Sequence, residues 1–103
     1  MTHRLKSVTL KQYPVLQLEF RDGLVGDLDL TDTIARGKMF EPLRDKDFFS
    51  SVKMAPDGYS FGWRLDEIGN ELDFSADGAR IDIETAKVVE MAELYRAKIQ
   101  AAE

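Results

Sequence analysis

The chain has no cysteine, which excludes disulfides and thiolate zinc sites and gives no sign of a small secreted scaffold. Histidine occurs once, as His3, so no histidine metal triad can form, and a residue so near a terminus is expected to be structurally idle. No stretch of eighteen apolar residues is present, and Met1-Thr2-His3-Arg4-Leu5-Lys6 lacks the apolar centre of a signal peptide. A soluble, cytoplasmic protein without membrane attachment is the expectation. A glycine-rich phosphate loop, a Walker-type lysine and a helix-turn-helix pattern are also missing, so no cofactor is expected.

What is present is ordinary for a globular protein. Of 103 residues, 44% are hydrophobic and 10% aromatic, enough for a single domain with a thin core and too many for a disordered chain. The net charge of −5 disfavours a protein that grips phosphate backbones. That charge lies in the second half. Residues 1–53 hold nine Lys/Arg against eight Asp/Glu, whereas residues 54–103 hold five against eleven.

The stretch Val15–Leu30 organises the rest. Leu16, Leu18 and Phe20 alternate with polar residues, Leu24, Leu28 and Leu30 do the same, and Asp22-Gly23 between them predicts a tight two-residue hairpin turn. Before it, Leu5, Val8 and Leu10 predict an edge strand over His3–Gln12, broken at Tyr13-Pro14. After it, Thr31 or Asp32 is expected to cap a helical turn over Thr33–Arg36 that stops at Gly37. Met39, Phe40 and Leu43 are expected to plug the core from a connector, and Asp45 to cap one turn over Lys46–Phe49.

Val52–Met54 and Tyr59–Trp63 predict a second hairpin around Pro56-Asp57-Gly58, with Tyr59, Phe61 and Trp63 on one core face. Arg64–Asn70 reads as a loop, and Leu72–Phe74 as a short extended piece followed by a turn capped by Ser75. One long helix is expected from Glu84 to about Ala102, with Val88, Met91, Ala92, Tyr95 and Ile99 in an apolar stripe. The fold class is therefore α+β: an antiparallel sheet of two hairpins plus an edge strand, short helical turns and one C-terminal helix. Its expected core comprises Leu18, Phe20, Leu28, Leu30, Phe40, Phe61 and Trp63.

Three groups could carry chemistry. Asp27, Asp29 and Asp32 suggest calcium, but an EF-hand loop from Asp27 would need Gly at 32 and Glu at 38, where Asp32 and Lys38 stand. Asp27 and Asp29 read instead as the solvated face of a strand. Asp66, Glu67, Glu71 and Asp73 form the densest carboxylate group. If Asp66, Glu71 and Asp73 converged they could hold a divalent ion or share acid and base roles. The plainer role for Asp73 is to accept backbone N–H bonds where the strand ends. Arg36, Lys38, Arg44, Lys46 and Lys53 give a basic tint that Glu41, Asp45 and Asp47 dilute to a mixed surface.

The ordered series Leu18–Gly23, Asp29-Leu30, Gly37–Asp45 with Phe48 or Phe49 and Val52, then Trp63, then Gly69–Asp77 resembles a small bacterial family, domain of unknown function 2442. The likeness covers roughly residues 5–80. The family usually places Pro and Gly soon after the Trp, whereas Arg64–Ile68 intervenes here, and the helix lies beyond the family's usual end. The domain reading is a single domain over 1–103, with a family-like core over 5–80 and a helical extension over 83–103. The resemblance implies a compact α+β domain with no established activity, and contexts such as toxin–antitoxin-like pairs.

The functional expectation is a non-catalytic protein-interaction module, the regulatory or antitoxin-like member of a pair. It would engage a protein partner, or a second copy as a homodimer, through Val88, Met91, Tyr95 and Ile99. The alternative is a small metal-dependent hydrolase using Asp66–Asp73. A DNA-binding regulator is the third class.

Overall fold

A computed structural model describes residues 3–102. The chain is α+β, built from two three-stranded antiparallel sheets and a long C-terminal helix. The first sheet has the order β1 (Leu5–Gln12), β2 (Val15–Phe20), β3 (Val25–Asp29). Leu16, Leu18 and Phe20 of β2 are buried on one face with Leu28 of β3 and with Leu30, as the period-two pattern requires. β1 is an edge strand with two register irregularities, and Leu10 near its end is exposed. The turn after β2 differs from expectation. Phe20 donates to the Leu24 carbonyl and Gly23 to that of Phe20, so three residues, Arg21-Asp22-Gly23, close the hairpin with Gly23 at φ 98°.

Helix α1 covers Thr31–Ala35, and its N-cap position is Leu30, not Thr31 or Asp32, with no side-chain cap bond. Asp29, at the end of β3, instead accepts bonds from the amide (2.9 Å) and hydroxyl (2.6 Å) of Thr31, the first helical residue. A 3-10 helix follows over Lys38–Arg44, and α2 spans Lys46–Ser50. Asp45 caps α2 through the amides of Asp47 and Phe48, as the sequence predicts. Within the 3-10 segment Leu43 is buried, Phe40 only half-buried against the core, and Met39 is 69% exposed. Side chains three apart eclipse in a 3-10 turn, so three apolar residues in this spacing cannot all face inward.

The second sheet has the order β4 (Lys53–Met54), β5 (Ser60–Trp63), β6 (Leu72–Ser75). Phe61 and Trp63 are buried, but Tyr59 lies just before β5 and is exposed, its hydroxyl bonded to Arg4. The Trp63 ring packs on those of Phe49 from α2 and Phe74 from β6. The sheets share one core. The Leu5 amide donates to the Gly58 carbonyl at 2.7 Å, stitching β1 to the second hairpin.

Helix α3 runs over Ala76–Ala102, eight residues earlier than Glu84. Ser75 does cap, with its hydroxyl accepting from the Gly78 amide at 3.1 Å, but what it caps is the long helix itself. Gly78 is tolerated within the first turn. Ala76, Ala79 and Ile83 are buried, the helix packing on both β3 and β6, with Ile83 seated over Gly26 of β3. Only a residue without Cβ leaves room there. From Glu84 to Gln100 every residue is exposed. The helix therefore projects beyond the body, and the molecule as a whole reaches 57 Å along its longest axis against 30 and 20 Å along the others.

Candidate functional site

Two places could act on another molecule. The first is an open hollow of about 740 Å³ beside the second sheet, between the Arg64–Asn70 loop and the β4 hairpin. Phe48, Met54 and Leu65 give it an apolar floor, and Asp66, Glu67, Glu71 and Asp73 all stand around it. The structure thus gathers the four carboxylates at one rim, but all four are exposed. Among the described residues no group of three or more His, Cys, Asp or Glu is close enough to hold a metal ion. Asp73 accepts no hydrogen bond among the described residues, and Ser75 takes the end-of-strand role expected of it.

Sequence reasoning missed Arg64, which closes β5 at φ 55°, a left-handed conformation that a non-glycine residue adopts at a cost. Its guanidinium sits 4.8 Å over the Phe48 ring, an attraction that helps to hold the bend. Lys53 stands across the same hollow, offsetting part of the carboxylate charge. The remaining basic residues of the middle segment, Arg36, Lys38, Arg44 and Lys46, are exposed, with Lys46 near the Tyr13 ring.

The aspartates of the calcium reading are engaged elsewhere. Asp27 pairs with Lys11 at 2.6 Å across the sheet face. The Thr31 hydroxyl and then its amide hold the Asp29 carboxyl below the ordinary carboxylate range. His3 lies edge-on to Phe20, and its amide donates to Asp77 at 2.7 Å.

The second place is the projecting part of α3. Val88, Met91, Tyr95 and Ile99 are 65%, 69%, 66% and 44% exposed, so the whole predicted stripe lies clear of the sheet. Leu94, Val89 and Ile81 are exposed as well. Leu94 and Val89 flank the predicted stripe, three residues from Met91 and Ala92 respectively, and Ile81 precedes the expected helix start. At the root of the projection Arg80 bridges Asp22 of the first hairpin turn at 3.0 Å and, within the helix, Glu84 at 2.7 Å. No described helix is long and apolar enough to cross a membrane.

Compared with models of protein families, with curated proteins and with solved structures, the chain finds no match.

Proposed function

We propose that the chain is a non-catalytic protein-interaction module and that the projecting part of α3 is its contact surface. One observation carries this reading. A seventeen-residue run, 84–100, is exposed throughout, yet it presents Val88, Met91, Leu94, Tyr95 and Ile99 to solvent. Large contiguous apolar surface is uncommon on monomers and marks contact sites. The resemblance to domain of unknown function 2442, resting on the residue series alone, implies the same class of role, including the antitoxin-like member of a pair.

The test is capture of binding partners, or of tagged against untagged copies, by the wild-type chain and by a Val88→Glu/Tyr95→Glu variant. Both positions are exposed, so the variant should keep its fold. Binding that is equal for both forms would sink the assignment of the helix as the contact.

A second reading has one observation in its favour, the gathering of Asp66, Glu67, Glu71 and Asp73 around a single hollow. As a metal-dependent hydrolase the chain would bind magnesium, manganese or zinc at micromolar concentration in a calorimeter. That heat would vanish in an Asp66→Asn/Asp73→Asn variant.

A further inference from the structure

The projecting helix has a definite orientation relative to the body. Helical steps of about 100° place Val88, Met91, Tyr95 and Ile99 roughly 80–160° around the axis from Ile83, the residue seated on the sheet. The stripe therefore faces sideways, and bending the helix back onto its own sheet would not cover it.

The charges along the run indicate an occupant. Glu84 and Lys98 stand seven residues either side of Met91, Glu84 within the stripe and bonded to Arg80 of its own helix, Lys98 at the stripe's edge, and Val88 and Tyr95 stand three residues before and four after Met91. A two-fold axis at Met91, relating two antiparallel copies, sets Glu84 of each beside Lys98 of the other. The same axis sets Val88 level with Leu94 of the second copy, with Tyr95 one residue further along, and puts Ile99 level with Ile83. A parallel pair in register would instead stack Glu84 on Glu84 and Lys98 on Lys98. The lengths also agree: with the axis at Met91, each helix ends level with Arg80 and Ile81 of the other, where the body begins. All of the exposed run is covered, and the two bodies lie at opposite ends.

We infer that the occupant of this surface is a second copy of the chain, docked as an antiparallel helix pair about Met91. The inference rests on the reading of the helix as a contact surface. Exposed ion pairs contribute little affinity, so the Glu84–Lys98 contacts choose the direction while the apolar stripe supplies the attraction. Covering the large side chains in both copies removes on the order of 1,000 Å² of surface, the low end for stable interfaces, which points to micromolar dimerisation.

The test uses the full chain and exploits its lack of cysteine. Sedimentation equilibrium should show a monomer–dimer equilibrium below about 1 mM. A Glu84→Cys chain mixed with a Lys98→Cys chain should be joined by a short bis-maleimide, in at least tenfold higher yield than either chain joined to itself. Preferential self-joining of each single variant would overturn the antiparallel arrangement, and a chain monomeric at 1 mM would overturn the pairing. Neither result touches the wider reading of the helix as a contact, which stands or falls on the capture comparison.

Discussion

The indole Nε1 of Trp63 donates to the main-chain carbonyl of Phe49 at 2.9 Å, inside the core. This bond joins β5 to the short helix α2, whose five residues could not hold a helix by themselves. It satisfies the one polar atom of a side chain that is 1% exposed. Trp63→Ala should cost about 3–5 kcal/mol through the cavity it leaves. Trp63→Phe, which keeps most of the apolar contact and loses the donor, should cost about 1–3 kcal/mol. Urea unfolding followed by circular dichroism measures both, and an Ala variant with the wild-type midpoint would contradict the burial.

Gly26 is buried on β3 directly beneath Ile83, and a Cβ built there would run into the Ile83 side chain. Gly26→Ala should therefore lift the first turns of α3 from the sheet and destabilise the fold by about 1–3 kcal/mol, the usual range for overpacking. Gly26→Ala combined with Ile83→Ala should cost less than the two single changes summed, because the second removes the clash that the first creates. If the loss in the double variant equals the sum of the two single losses, the two residues are not the coupled contact described here.

The first sheet was legible because Leu16, Leu18, Phe20, Leu28 and Leu30 carry a strict period of two, which fixes both element and face. The start of α3 was not, because Gly78 among small and charged residues resembles the end of a turn. Helix there depends on Ala79 and Ile83 docking on β3, a tertiary effect with little local signature. Tyr59 failed for a related reason: sharing parity with Phe61 and Trp63 does not bury a residue that lies before its strand begins. The carboxylates of the hollow were found by density along the chain, but whether they converge is a property of the loop backbone, which spacing does not encode. Arg64 carried no signal at all, since its left-handed conformation would ordinarily suggest glycine or asparagine.

The Arg80 guanidinium, and then the Leu24 amide, hold the Asp22 carboxyl below the ordinary carboxylate range. The same contact, with Glu84 adding to it, raises Arg80. A carboxyl depressed in the folded state stabilises the fold above its unfolded pKa of about 3.9. That contribution disappears as pH falls through the lower folded value. Arg80→Met should bring the Asp22 titration back toward ordinary, measured by carboxyl-carbon NMR, and flatten the acid limb of stability against pH. The effect should be small because Asp22 is exposed. An unchanged Asp22 titration in Arg80→Met would show that the ion pair does not govern it.

Amide exchange should divide α3 at Ile83. The segment Ala76–Ile83 is packed against β3 and β6 and anchored by the Ser75 cap, so its amides should open only with the domain. Beyond it the helix has no tertiary cover, and its hydrogen bonds are reinforced only by continuity with the docked turns. Those docked turns supply the costly nucleus, so the projecting part should be helical yet fray from Ala102 inward. In dilute solution, protection should fall steadily from Glu84 to Gln100. At about 1 mM, a partner laid along the stripe should raise protection most around Val88–Tyr95, on either side of Met91, and leave β2 and β3 unchanged. Hydrogen–deuterium exchange at the two concentrations measures the profile residue by residue. Uniform protection along the whole helix at low micromolar concentration would mean that the chain's own body covers the far half, and the projecting arrangement would fall.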